Sequence, residues 1–125
     1  MTIQEAIDRI DETKPNLFSD QQKVAWLSEV DSYIFRELIK THEGSPAGID
    51  FVGYDLDTEM DTKLLAEEPY HDIYETYLAM RMDYKNRDTG EYAKSRNAFN
   101  AAWQTYADYY NRTHKPIALV TQFRY

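Results

Sequence analysis

The chain has 125 residues, no cysteine, eleven tyrosines and a formal net charge of −8. That length predicts one domain around one core, and the lack of cysteine excludes a disulfide framework and a thiolate metal site. No apolar run approaches the roughly 18 residues of a membrane span, and the polar, amphipathic opening MTIQEAIDRIDETK lacks the make-up of a signal peptide.

The charge is unevenly placed: residues 1–62 hold 14 acidic and 5 basic side chains, residues 63–125 hold 8 and 9. An acidic front half argues against wrapping nucleic acid, which needs clustered cations. It favours approach to a basic partner instead.

Four helices are predicted. The first spans about residues 3 to 13, with Ile3, Ile7 and Ile10 on one face and Glu5, Asp8, Asp11 and Glu12 elsewhere. Thr2 and Glu5 have the spacing of a capping box, and Pro15 follows the helix end. The second and longest helix runs from about Asp20 to Thr41. Ser19 and Gln22 repeat the capping spacing, and Val24, Leu27, Val30, Ile34 and Leu38 form a stripe with Trp26, Tyr33 and Phe35 beside it. Gly44 and Pro46 stop it.

Residues 43–68 differ in character. They hold three of the four glycines and many acids, and GIDFVGYDLDTEMDTKLL has no helical period. A connection this long inside a compact domain is usually functional or disordered. Ile49, Phe51 and Tyr54 are the residues expected to pin it to the body or to sit in a short strand.

A third helix is expected from about Pro69 to Asn86, where Tyr70, Ile73, Tyr77, Met80 and Tyr84 recur at helical spacing. The fourth runs from about Gly90 to Arg112, capped by Asp88 with Glu91 three residues on. Tyr92, Phe99, Trp103, Tyr106 and Tyr110 form its stripe, which Arg96 interrupts. NRTHKP ends it with cations near its negative pole. In IALVTQFRY, residues Ile117, Leu119, Thr121, Phe123 and Tyr125 alternate as in an extended strand, which suits addition to another subunit. The expected fold is thus all-α: one domain over 1–125, with about four helices, an irregular acidic insertion at 43–68 and an extended tail at 117–125.

The stretch FNAAWQTYADYYNRTHKP, the preceding EEPYHDIYETYLAMRMDYKNRDTGEYAKSRNAFN, and the opening TIQEAIDRIDETKPNLFSDQQKVAWLSEVDSYIFREL resemble the head–tail connector, or adaptor, proteins of tailed bacteriophages and prophages. The resemblance covers roughly residues 1–42 and 67–116; the loop and the tail lie outside it. It implies a non-enzymatic structural protein of the virion, present in the host cytoplasm during assembly. Copies would form a ring beneath the portal protein and extend the DNA channel toward a tail-side connector protein. No cofactor, membrane or sequence-specific nucleic acid is implied.

Asp55, Asp57, Glu59 and Asp61 alternate as calcium-loop ligands do, and counting from Asp57 places Glu68 at the twelfth position. The sixth is Thr62 where a tight turn wants glycine, so Asp57, Glu59, Asp61 and Glu68 are weak metal candidates and a solvated acidic loop explains them as well. His42, His71 and His114 form no zinc motif. No nucleophilic triad, phosphate loop or paired-carboxylate cleft can be argued, and no catalytic residue is assigned. A helical adaptor module binding one protein partner is the main alternative, and a small metal-dependent hydrolase built on the acidic loop the lesser one. Tyrosine rings suit wet boundaries. Tyr77, Phe99, Trp103 and Tyr106 are expected in the core, while Tyr74, Tyr109, Tyr110, Phe123 and Tyr125 are the interface candidates.

Overall fold

The computed structural model describes residues 1–42 and 50–115. Among these the chain is all-α, with four helices and no strand. Helix α1 (Ile3–Thr13) packs on α2 (Asp20–Ile34) and on α3 (Asp72–Lys85). Helix α4 (Thr89–Thr113) packs along α3, and α2 continues into a π-helical turn, Phe35–Ile39, that also touches α4.

Local signals set the helix ends. At α1 the Thr2 hydroxyl accepts from the Glu5 N–H at 3.1 Å and the Glu5 carboxylate accepts from the Thr2 N–H at 3.0 Å, a complete capping box. The bond from the Thr2 N–H is the main cause that holds the Glu5 carboxyl below its usual range. Ser19 caps α2 by accepting from Gln22 N–H, and Asp88 caps α4 by accepting from Glu91 N–H. The π turn closes with the Lys40 N–H donating to the Phe35 carbonyl. It brings His42 inward, where Nδ1 donates to the Leu38 carbonyl at 2.6 Å and Nε2 meets the Asn111 amide at 2.7 Å.

The α3–α4 connection is three residues long. Arg87 takes a left-handed φ of 57°, its N–H donates to the Tyr84 carbonyl, and the Asp88 N–H donates to the Asp83 carbonyl. These are the two bonds of a Schellman motif, and the residue that completes it is also the cap of the next helix. Before α3 the Glu68–Pro69 peptide is cis, and the helix proper starts at Asp72, three residues later than the proline suggested.

Helix α3 occupies the centre and is apolar on two sides. Tyr77 and Tyr84 meet Phe99 and Tyr92 of α4, at ring separations of 5.2 and 5.8 Å. Its other side, Ile73, Tyr74, Leu78 and Met82, is buried in the cluster formed with Ile3, Ile7 and Ile10 of α1 and Val24, Leu27, Val30 and Ile34 of α2. Fully burying each such aliphatic side chain contributes about 1.5–3 kcal/mol. Two ion pairs seal the edges: Lys23 to Asp11 at 2.7 Å and Lys14 to Asp83 at 2.8 Å. Burial pushes the Asp11 carboxyl upward, but the hydrogen bonds from Lys23 and Asn16 outweigh it and hold the group below its usual range.

Candidate functional site

Residues 50–68, which precede α3, are irregular yet anchored to the helical body. The carbonyls of Thr62 and Met60 accept from the Ile3 and Gln4 N–H groups at 3.1 and 2.9 Å, and Leu64 N–H donates to the Met1 carbonyl, closing an antiparallel bridge between Thr2 and Lys63. The first turn of a helix leaves N–H groups without helical partners. In α1 these are met by the capping box and by this segment, so the acidic connection is also the cap of the first helix.

The second anchor is Asp31, fully buried on α2. Its Oδ1 accepts from the Tyr74 hydroxyl at 2.6 Å; its Oδ2 accepts from the Tyr54 hydroxyl at 2.5 Å and from the Leu65 N–H at 3.1 Å. The Tyr74 oxygen in turn accepts from the Ala66 N–H at 2.6 Å. One carboxyl therefore ties α2, α3 and both ends of residues 54–66 together. Burial raises the Asp31 carboxyl above its ordinary value despite those three donors. Burial and the neighbouring Asp31 charge likewise push the Tyr54 and Tyr74 hydroxyls upward.

The turn into this segment is tightly fitted. Gly53 has a φ of +87°, and a Cβ there would lie 2.9 Å from the Ser28 hydroxyl, which accepts the Tyr54 N–H. Phe51 rests near Phe35 and edge-on to Tyr54. Phe51 and Tyr54 thus pin the segment as expected; Ile49 lies outside the described residues. Residues 54–66 are tied to the helical body mainly through their backbone, at Tyr54, Met60, Thr62, Leu64, Leu65 and Ala66.

The sequence-derived candidates separate. Tyr74 is 0% exposed and committed to Asp31 and Ala66, so it is removed from the interface set. Tyr110 is also buried, with His42 edge-on at 5.0 Å and His114 stacked at 3.9 Å. Tyr109 is half-buried and stacked on Tyr70 at 4.5 Å. Phe123 and Tyr125 lie outside the described residues. Phe99 and Tyr106 are buried as core, while Tyr77 and Trp103 pack against its edge.

The weak metal candidates do not converge. Asp57, Glu59 and Asp61 are exposed, and Asp57 gives its N–H to the Asp55 carboxylate in a local turn at 2.8 Å. Glu68 points instead to His71 Nδ1 at 2.5 Å, and that bond holds its carboxyl below the usual range. Among the described residues, His71, Asp72 and Glu75 bring ligand atoms within 4.8 Å of one another. That group is already occupied: Arg9 Nη1 donates to His71 Nε2 at 2.8 Å and to Glu75 at 3.2 Å. With Nδ1–H on Glu68 and the Nε2 lone pair on Arg9, the ring has no free nitrogen for a cation.

What the anchored segment presents outward is mixed. Val52 is fully exposed and Leu56 64% exposed, and they alternate with the exposed carboxylates of Asp50, Asp55, Asp57, Glu59 and Asp61. Leu17, in the α1–α2 link, is also fully exposed. Sequence reading named none of these apolar residues, although Leu56 stands out as an apolar letter between two acids, Asp55 and Asp57. It also missed Asp31. Comparison of the chain with protein-family models, with curated proteins and with solved structures finds no match.

Proposed function

We propose that this chain is a structural subunit of the head–tail connector kind, assembling as a ring beneath the portal protein and extending the channel toward a tail-side connector. The sequence resemblance over residues 1–42 and 67–116 supports this reading. One structural observation carries it further: the Asp31 network fixes an acidic segment to the helical body while Val52 and Leu56 are left in solvent. A binding surface held rigid in advance loses little conformational entropy on association. Repeating one contact between two different faces of identical protomers closes a ring.

Native mass spectrometry and electron microscopy of the purified protein, alone and mixed with the portal, provide the test. Closed rings, or rings seated on the portal, are expected. A strict monomer or dimer that ignores the portal would replace this reading with that of a helical adaptor for a single partner.

A further inference from the structure

The face of α2 turned away from the acidic segment carries a second surface of opposite character. Glu29, Ser32, Tyr33 and Arg36 recur at helical spacing, and with Arg81 of α3 and Phe99 of α4 they line an open cleft of about 570 Å³. Arg36 is exposed and forms no ion pair among the described residues. The Arg81 Nε is buried and has no hydrogen-bond partner among the described residues. Its nearest carboxylate, Glu29 Oε1, stands 3.6 Å away and accepts from the Tyr77 hydroxyl at 2.8 Å. Glu29 is thus shared between Arg81 and Tyr77, and the five-donor Arg81 guanidinium keeps capacity for a further acceptor. Its walls are aromatic: Tyr33 lies 4.6 Å from the Trp103 ring and remains 39% exposed.

We propose that this cleft receives the acidic segment Asp55–Asp61 of a second copy of the chain, with carboxylates on Arg36 and Arg81 and the exposed Leu56 against the Tyr33 wall. Charge and residue order both favour that occupant. The segment offers carboxylate, aliphatic, carboxylate in succession at Asp55, Leu56 and Asp57, and the cleft offers two guanidinium groups beside an exposed ring. Asp55, Asp57, Glu59 and Asp61 have no ion-pair partner among the described residues. The segment packs on Ser28, Asp31 and Phe35 of α2 and its π turn, whereas the cleft uses Glu29, Ser32, Tyr33 and Arg36. The two surfaces lie on different faces of one helix, so the contact runs between copies, head to tail. This inference rests on the ring-forming reading and names the contact that would close the ring.

The test uses full-length protein and two charge reversals at exposed positions, Arg36→Glu and Asp57→Lys, with circular dichroism to verify that both fold. Sedimentation velocity is run on each protein alone and on an equimolar mixture. Wild-type protein is expected to self-associate, and less so at high salt, since exposed charge pairs are screened. Each reversal should weaken self-association by about tenfold or more, because like charges then face each other. The mixture should recover assembly, since the reversed cleft of one variant matches the reversed segment of the other. Variants that assemble like wild type, or a mixture that fails to recover, would overturn this contact while wild-type rings leave the connector reading standing. Wild-type protein that stays monomeric at every concentration would overturn this contact, and the connector reading with it only if the protein also ignores the portal.

Discussion

The Tyr74 hydroxyl donates to Asp31 at 2.6 Å across the α2–α3 interface, and neither group reaches solvent. Truncating either end leaves the other buried and unpaired. Tyr74→Phe is expected to cost about 1–3 kcal/mol in urea denaturation, since the Ala66 N–H loses its acceptor as well. Asp31→Ala strands three donors and should cost at least ~3 kcal/mol. Equal stability for Asp31→Ala and wild type would mean that the carboxyl holds nothing together.

Asp31 also sets a pH dependence with a definite sign. Burial places its folded pKa above the ordinary 3.8, so between those two values the native state binds the proton more tightly than the unfolded chain. Its contribution is complete below the unfolded value and is lost as pH rises through the folded one. Glu5, Asp11 and Glu68 are lowered and act oppositely: their contributions are present above their unfolded values and fade as pH falls through the folded ones. Comparing wild type with Asp31→Asn isolates the first effect. The wild-type advantage should be greatest at the acid end and shrink as pH rises; an advantage that grows with pH would reverse the assignment.

The α3–α4 turn stores a small amount of strain at Arg87, an L-residue with a φ of 57°. Glycine adopts that conformation without a Cβ penalty, so Arg87→Gly should raise stability by up to ~1 kcal/mol. Asp88→Ala removes the α4 cap and should lower it by about 1 kcal/mol. Thermal melts of the two variants should therefore move in opposite directions.

Gly53 controls how closely the acidic segment lies on α2. Its φ of +87° and the 2.9 Å approach to the Ser28 hydroxyl leave no room for a methyl group. Gly53→Ala is expected to cost about 1–2 kcal/mol and to act locally. Hydrogen exchange at Tyr54, Leu65 and Ala66 should accelerate more than exchange within α4. A uniform increase across the chain would place the strain elsewhere.

At His71 both ring nitrogens are engaged, by Glu68 and by Arg9. Zinc added to the wild-type protein should leave its melting temperature unchanged. Arg9→Ala frees Nε2 beside Asp72 and Glu75, and that variant should gain a zinc-dependent rise. A rise of equal size in wild-type protein would show that Arg9 does not hold the ring.

The features that were legible in the sequence are local ones. Thr2 with Glu5, Ser19, and Asp88 announce helix starts because a cap and its partner lie within one turn. The stripes of α1, α2 and α4 were equally readable. On α3 the tyrosine stripe drew attention to the side that meets α4 and hid the side carrying Tyr74, Leu78 and Met82. Periodicity reports one face at a time, and a central helix has two. Asp31 did leave a signal: an acid in phase with Val24, Leu27 and Leu38 on an apolar stripe. Its partners could not be read, because Tyr54, Leu65 and Tyr74 reach it only through tertiary folding. The outward alternation of Leu56 with acids was visible in the letters, but which side of the segment faces the body depends on those same long-range bonds.

The two-sidedness of α3 bears on how this protein can drift. A side chain on the outer face of α4 answers only to solvent, whereas Leu78 or Met82 is hemmed in by neighbours that are themselves buried. Swaps of equal volume are the changes such a helix tolerates, and truncation to alanine there is expected to remove about 2–5 kcal/mol. Among descendants of this chain, the middle helix should therefore be the slowest to diverge, and the last in which kinship can still be traced.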